Sequence, residues 1–393
     1  MDPTIPKGTL LHRSRLVVLL TAVVALGTAA FGPTPAASAA ALPSPASAVR
    51  SSFLHRFHTV TKIASTVPAS GDVNPYGVAV VPTSVGSLVA GDTLVSNFNN
   101  KANVQGTGTS IVEVSPSGST QLFAQFSQLP AGMTCPGGIG LTTALGILPG
   151  GWVVVGSLPT TTGGALPGLN PVGCLIVLND GGTPVESIAN SDIVGPWDLA
   201  VSSTPTTAAL FVSNALGGNT KVKNGVPIAG KCTVVRLDLA LSPTAPPTFT
   251  GSTVVGSNYL WKANKAALVL APTGLVLGRN GTLYVDNTQT NAISAIPDAL
   301  TRSTAIAASA SVLSIGGALN APLGMTLAPN GDLIVVNGNN GNAIEVTSRG
   351  DQIAYVTLVK NGAGDLFGMA PTANNDGILF VNDGNNTLDL FHG

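Results

Sequence analysis

The chain has 393 residues, of which 44% are hydrophobic and only 9% are charged, with 47 Gly and 28 Pro. This composition excludes a disordered chain, which would be rich in charge and poor in apolar residues. A formal net charge of −1, without any basic stripe, argues against a nucleic-acid partner. Frequent Gly and many short Val, Leu and Ile runs instead predict an all-β protein with many turns.

The N-terminal segment has the pattern of a secretory signal. Basic residues precede an apolar run over residues 16–31, and Ala37-Ser38-Ala39 fits a cleavage site. We therefore expect residues 1–39 to be removed on export, to a periplasm or out of the cell, leaving no stable membrane span. The alternative is an uncleaved anchor, because the run approaches the minimum length of a spanning helix.

The next segment is predicted to be a tether. Residues 40–54 are mostly Ala, Ser and Pro in their first part, a composition typical of a flexible linker. We expect one folded domain over residues 55–393.

Six copies of one short phrase recur in this domain. Each copy has Gly or Asp at its third position, usually after a Pro at the first, and continues with alternating apolar residues. The copies are Pro75-Tyr76-Gly77-Val78, Pro136-Gly137-Gly138-Ile139, Pro196-Trp197-Asp198-Leu199, Pro272-Thr273-Gly274-Leu275, Pro322-Leu323-Gly324-Met325 and Leu366-Phe367-Gly368-Met369. Their spacing of 44 to 76 residues is that of blades with insertions.

The last copy reaches only a third predicted strand, over residues 388–391. A Val-, Ile- and Thr-rich segment, residues 57–65, precedes the first copy and has no blade of its own. We predict that it completes the last blade, which leaves no open edge within the ring. The prediction is a six-bladed β-propeller of four-stranded antiparallel blades, closed by this N-terminal strand. The alternative is two β-domains divided near residue 260.

Two copies resemble the NHL repeat. Residues 272–298 (PTGLVLGRNGTLYVDNTQTNAISAIPD) and 322–350 (PLGMTLAPNGDLIVVNGNNGNAIEVTSRG) combine P-x-G, a G-x-L strand ending in Val, and Asn before an apolar strand. The resemblance covers roughly residues 55–393 and is sharpest in the second half. It implies a six-bladed propeller with loops around a central channel. It implies no single activity, because NHL-like proteins include ligand and protein binders, lyases and lactonase-like hydrolases.

The resemblance also implies what a catalytic relative would carry. Metal-dependent lactonase-like propellers place a Glu, an Asn and an Asp on the channel, and propeller lyases use His there. No matching Glu lies on a predicted inner strand, and His55, His58 and His392 map to the closing blade. We expect no metal ligands and no cofactor. A catalytic alternative would place a divalent cation in the channel.

Unusual segments are predicted on one face of the ring. Three insertions between second and third strands, residues 97–110, 157–173 and 215–231, share this face with the link 257–270. The candidate ligand-binding residues there and at the channel mouth are Tyr76, Trp197, Asp198, Tyr259, Trp261 and Phe367. The rings would stack on a ligand, and Asp198 would bind a cation or polar group. The alternative is that the rings pack between blades and the insertions cover blade edges.

A polar residue recurs where the second strands end. It is Asn97, Asn214, Asn287 and Asn337 in four copies, with Gly156 and Asp383 in the others. A ring of ligands is one interpretation. Capping of turns is favoured, because Asn and Asp side chains bind nearby backbone N–H groups.

Three cysteines, Cys135, Cys174 and Cys232, predict one disulfide and one free thiol in an exported protein. Cys135–Cys174 is the favoured pair, because both residues open strands of the second blade on the inserted face. Cys174–Cys232 is the next pairing, and three buried reduced thiols are the third interpretation.

These observations predict an exported, monomeric, non-catalytic scaffold that binds an extracytoplasmic protein or a small molecule through its insertion-bearing face. The first alternative is a metal-dependent small-molecule hydrolase or lyase with its site in the central channel. The second is a mainly structural envelope protein, which the low content of charged residues favours.

Overall fold

The computed structural model describes residues 52–158, 172–224 and 226–393. The predicted signal segment and residues 40–51 of the predicted linker lie outside this part. Ser52, Phe53 and Leu54, assigned to the linker by sequence, are buried. The ring of Phe53 packs edge-on against that of Phe57 at a centroid distance of 5.0 Å. The packed region therefore begins before the predicted boundary at residue 55.

The described residues form six sheets, numbered here in chain order. Strand β1 (Thr59–Ser65) precedes sheet one, which contains β2 (Val73–Val80), β3 (Thr93–Asn99), β4 (Ser110–Val114) and β5 (Thr120–Gln125). Sheet two contains β6 (Leu141–Leu148), β7 (Trp152–Ser157), β8 (Cys174–Leu178) and β9 (Pro184–Ile188).

Sheet three has seven strands. Its main strands are β10 (Pro196–Ser203), β11 (Thr207–Asn214), β13 (Val226–Ala240), β14 (Thr248–Asn264) and β15 (Leu268–Leu270). Strand β12 (Asn219–Lys223) pairs with β13, and β19 (Ile306–Ala307) runs parallel to β14.

The remaining sheets have four strands each. Sheet four contains β16 (Pro272–Leu277), β17 (Leu283–Asn287), β18 (Ala292–Ile296) and β20 (Val312–Ile315). Sheet five contains β21 (Pro322–Leu327), β22 (Leu333–Asn337), β23 (Asn342–Val346) and β24 (Gln352–Thr357). Sheet six joins β25 (Leu366–Pro371), β26 (Gly377–Asn382) and β27 (Thr387–His392) to β1.

The sheets are arranged as a β-propeller of antiparallel blades. The first strands of sheets one to six contact one another in chain order, and the first strand of sheet six also contacts the first strand of sheet one, which closes the ring. These strands surround a central channel, and the apolar core lies between neighbouring sheets. Helix is limited, in the described part, to two 3-10 turns, Leu54–Arg56 and Ala308–Ala310, and no helix there is long and apolar enough to cross a membrane.

The N-terminal strand closes the last sheet. Strand β1 pairs antiparallel with β27, with Thr59 opposite His392 and Ser65 opposite Thr387. The predicted pairing of the two ends of the domain is confirmed. The alternative of two domains divided near residue 260 is wrong, because residue 260 lies inside the continuous strand β14.

Glycine in the repeated phrase is explained by the close approach of neighbouring first strands. A Cβ atom added at Gly324 would collide with the carbonyl oxygen of Phe367, one sheet further on. A Cβ at Gly368 would collide in the same way with the carbonyl oxygen of Tyr76. The phrase therefore marks the points where the ring is tightest, since only Gly lets two backbones approach this closely.

Sheet two departs from the predicted phrase. Residues 136–140 precede its first strand, which begins at Leu141. The register places Leu141 opposite Ser157, just as Pro75 lies opposite Asn97. The copy read at Pro136 is therefore displaced, because a Pro-Gly-Gly turn imitates the phrase without entering the strand.

The aligned polar position also needs two corrections. In sheet two it is Ser157 rather than Gly156, and in sheet six it is Asn382 rather than Asp383, because Asn382 lies opposite Leu366. In both sheets the predicted position differs by one residue from the observed one, because a second small or polar residue stands next to it at the end of the strand.

Sheet three contains the largest difference from prediction. The insertion 215–231 and the link 257–270 were expected to be loops, but most of their residues lie in strands β12, β13, β14 and β15. Only residues 234–240 of β13 pair with β11, so the first half of β13 continues beyond the sheet. Residues 217–224, 226–232 and 257–270 form a small antiparallel sheet, which we call the sheet-three extension.

Candidate functional site

Four aromatic rings meet at the start of the channel on the insertion-bearing face. Tyr76 stacks on Phe367 at 4.0 Å and on Phe98 at 4.6 Å between ring centroids, and it meets Trp197 edge-on at 5.7 Å. Sheets one and three are not neighbours in the ring, so the contact between Tyr76 and Trp197 spans the channel. The aromatic cluster therefore fills the channel mouth on this face.

The burial of these predicted ligand-binding residues indicates whether their rings can contact a ligand. The side chains of Tyr76 and Trp197 are only 1% and 2% exposed, and Phe367 is buried as well. A ring that stacks on a ligand must present a face to it, whereas these rings face one another. The arrangement corresponds to the alternative interpretation, in which the aromatic residues pack between blades.

The extension lies against the same core. Tyr259 and Trp261, predicted to lie on a link, are instead on β14, and both belong to the buried cluster that contains Trp197. The indole Nε1 of Trp261 donates to the carbonyl oxygen of Gly217 at 2.7 Å. The Nε2 of Gln105, in the insertion of sheet one, donates to the carbonyl oxygen of Ala266. These contacts join the insertions of sheets one and three into a cap. Insertion residues 159–171 lie outside the described part.

Below the aromatic cluster lies a cavity of about 260 Å³. It is lined by the first strands of all six sheets, through residues such as Val78, Leu145, Leu275 and Met325. Asp198 is the one charged side chain among the lining residues. The cavity is therefore lined by the backbone and mainly aliphatic side chains of the inner strands, with a single carboxyl group in its wall.

Asp198 is held by backbone donors. Its Oδ1 accepts the N–H of Leu199 and its Oδ2 accepts the N–H of Leu275 in the next sheet, both at 2.8 Å. Burial raises the pKa of Asp198 to about 7, and the two hydrogen bonds oppose that rise. Asp198 can therefore gain or lose a proton near neutral pH. Asp198 is the predicted ligand-binding residue that replaces Gly in the repeated phrase.

Asp286, which sequence analysis did not select, lies on β17 near Gly274. Both of its carboxyl oxygens are buried and have no hydrogen-bond partner among the described residues. Burial, and then the charge of Asp198, raise its pKa well above the ordinary value. Burial and the neighbouring carboxyl of Asp198 therefore both disfavour the charged form of Asp286. No sequence pattern distinguishes it, because its neighbours in the repeat are ordinary strand residues.

The Asp198→Asn variant is expected to lose part of the pH dependence of stability. The folded protein binds this proton up to about pH 7, whereas the unfolded chain releases it near the ordinary pKa of 3.8. Stability due to Asp198 is thus present at low pH and is lost as the pH rises from about 4 to 7. Between about pH 4 and 7, the free energy of unfolding should therefore fall by about 2 kcal/mol less in the variant than in wild type. This figure allows for the partial exposure of the side chain.

Urea unfolding from pH ~4 to ~8 measures the effect, with Asp351→Asn in an exposed loop as the matched control. Equal pH slopes for wild type and Asp198→Asn would contradict the assignment.

The recurrent Asn side chains bind backbone groups. The Oδ1 of Asn214 accepts the N–H groups of Val194 and Gly195, and the Oδ1 of Asn337 accepts that of Asn320. In each case the acceptor holds the segment that leads into the first strand of its own sheet. These contacts support turn capping, the favoured interpretation, over a ring of ligands.

The cysteines are divided between two states. Cys135 and Cys174 form a disulfide with a Cα–Cα distance of 5.4 Å, the pairing that the sequence favours. Cys232 is free and buried, and burial raises the pKa of its thiol well above the ordinary value. Cys232 is therefore protonated and lies within the core of sheet three.

The side chains described around the channel do not form a cluster of three metal ligands. In the described part of the chain, no three His, Cys, Asp or Glu side chains lie close enough together to hold a metal ion. Asp198 has both oxygens engaged with backbone N–H groups, and no Glu lines the cavity. His392 bonds with Thr61 at 2.9 Å, in the closing sheet and away from the lining.

The extension carries a concentration of positive charge. Lys221, Lys223, Lys231, Lys262 and Lys265 are all exposed, and residues 217–232 and 257–270 contain no Asp or Glu. The one ion pair among the described residues, Arg236–Asp238, leaves out all five lysines. The sequence carries a signal for this surface: five Lys without an acidic residue in a chain with few charges.

Known structures are similar to this chain in fold. A gluconolactonase from Xanthomonas campestris is 13% identical over 83% of this chain and 88% of its own, with a TM-score of 0.50. A virginiamycin B lyase from Staphylococcus aureus is 11% identical over 85% and 99%, with a TM-score of 0.48. A luciferin-regenerating enzyme is 12% identical over 85% and 95%, with a TM-score of 0.49. No protein-family model matches the chain, and no curated protein matches its sequence. At such identities the likeness concerns the β-propeller fold alone.

Proposed function

We propose that this protein is a non-catalytic binding scaffold that acts outside the cytoplasm as a monomer. Its partner binds the sheet-three extension on the insertion-bearing face. The observation that carries this proposal is the exposed lysine surface of the extension, which has no acidic residue. The channel mouth on the same face is filled by buried aromatic rings, so a partner arriving there meets the cap.

The finer architecture belongs to the same proposal. We propose that the propeller has six blades and that sheet three is one of them, because its first strand lies between the first strands of sheets two and four. The NHL-type phrase supports this count, since its third position coincides with the tight backbone contacts at Gly324 and Gly368. Export is supported by the basic and apolar pattern of residues 1–39.

Removal of the hairpin formed by β12 and the start of β13 tests the proposal. The backbone N–H of Lys231 donates to the carbonyl oxygen of Gly218 at 2.9 Å, so residues 219–230 can be replaced by Gly-Gly without separating these ends. We expect this variant to keep the folded propeller and to lose retention on envelope material from the producing cells. Asp198→Asn should be retained like wild type. Retention of the hairpin variant would contradict the proposal.

A small-molecule hydrolase or lyase is the second candidate. It is favoured by one observation, the Asp198 carboxyl with a pKa of about 7 in the channel wall, where it could accept a proton from a bound molecule. Screens of lactones and esters with wild type and Asp198→Asn distinguish the candidates. Turnover that is lost in Asp198→Asn and kept in the hairpin variant would favour the enzyme.

A further inference from the structure

The extension has two different faces. Gly230 lies opposite Trp261 and Cys232 opposite Tyr259, and these four residues face the ring. Because side chains alternate along a strand, the residues between them lie on the opposite face of the extension, here called the outward face. The outward face must therefore hold Ala229 and Lys231 of β13, together with Leu260 and Lys262 of β14. Lys231 and Leu260 also line a cleft beside sheet four.

The lysines share this outward face. Lys221 pairs with Ala229, which pairs with Lys262, and Lys231 pairs with Leu260. Strands in a sheet are about 4.8 Å apart, so Lys221 and Lys262, two strands apart, lie within about 10 Å of each other. Like charges this close, without an acidic neighbour in the extension, favour an anionic partner.

Exposed aliphatic side chains accompany the lysines. Leu260 is 44% exposed, and Val222 and Val226, at the end of the β12–β13 hairpin, are 50% and 39% exposed. A soluble polyanion would gain little from contact with these side chains. The interface of a bilayer accepts both groups, because aliphatic side chains enter the acyl boundary while lysines remain at the phosphates.

We propose that the sheet-three extension docks this protein on the surface of an anionic lipid bilayer. The β12–β13 hairpin enters the headgroup layer through Val222 and Val226, and Lys221, Lys231 and Lys262 bind lipid phosphates. The inference rests on the proposed function, since it names the chemistry of the partner for the same surface.

Vesicle sedimentation tests the charge requirement. The complete chain is mixed with vesicles of phosphatidylcholine alone or with about 30% phosphatidylglycerol, at about 50 mM and about 500 mM salt. We expect binding to the anionic vesicles at low salt and at least a tenfold weaker affinity for Lys221→Gln/Lys231→Gln/Lys262→Gln. The control Lys62→Gln/Arg349→Gln/Lys360→Gln removes three exposed charges elsewhere and should bind like wild type. All variants keep residues 1–51, so any contribution of the N-terminal apolar run is common to them.

A Val222→Trp variant reports insertion directly. Its added fluorescence should be quenched by brominated lipid in anionic vesicles, whereas that of wild type, which has Trp152, Trp197 and Trp261, should not be. Equal binding of the two triple variants, or an unquenched Trp at position 222, would overturn the proposal. The proposal would also be overturned if soluble polyphosphate prevented all binding to the vesicles and the Trp at position 222 were not quenched. If the protein does not bind anionic vesicles but its retention on envelope material still requires residues 219–230, the lipid proposal is wrong and the scaffold proposal stands.

Discussion

Gly324→Ala is expected to lower the free energy of unfolding by about 3 kcal/mol, because the new Cβ would collide with the carbonyl oxygen of Phe367 in the next sheet. A backbone carbonyl cannot turn aside as a flexible side chain can, so the neighbouring first strands must separate. Urea denaturation at neutral pH measures the change.

Gly251→Ala is the matched control for this variant. No heavy atom lies within 4 Å of the position that its Cβ would occupy. We expect its stability to stay within about 0.5 kcal/mol of wild type. Equal losses in the two variants would show that first strands do not meet where the phrase has Gly.

Glu345→Ala is expected to cost about 3 to 4 kcal/mol, because the buried Glu345 carboxylate holds the start of the packed chain. One oxygen accepts the N–H of Phe53 at 2.8 Å, and the other accepts the Ser52 hydroxyl at 2.6 Å and the N–H of Leu54 at 2.9 Å. Alanine would leave these donors without a partner in an apolar environment. Differential scanning calorimetry measures the loss.

Two further substitutions interpret that result. Glu345→Gln keeps one acceptor oxygen and should lose about half as much stability as Glu345→Ala. Glu186→Ala removes an exposed carboxylate on sheet two and should be near neutral. If Glu345→Ala is as stable as Glu186→Ala, the segment from Ser52 to Leu54 is not anchored by this side chain.

Much of the fold could be predicted because the repeat combines local and long-range constraints. Pro and Gly at fixed positions and alternating apolar residues mark the strands, and the unpaired segment around Thr59 had only one incomplete blade to join. Sheet two shows the limit of this reasoning. The turn at Pro136 has the residues of the phrase, and only pairing across the sheet places the first strand at Leu141.

The candidate site was harder to predict. Aromatic residues at a channel mouth suit both ligand stacking and packing, and the sequence does not indicate that Tyr76 and Trp197 meet across the ring. The sequence did not predict the extension as a sheet, because the segment around Trp261 belongs to β14, a strand that is longer than a blade strand. The isolation of Asp286 depends on neighbours from other sheets, which no local pattern reveals.

We propose that partners bind the extension and not the rest of the ring. Site-specific photo-crosslinking tests it, with the reactive residue at Leu260, which is 44% exposed, or at Tyr355 on sheet five, which is 63% exposed. With envelope material from the producing cells, we predict crosslinks from position 260 and none from position 355. Crosslinks from position 355 alone would contradict the account.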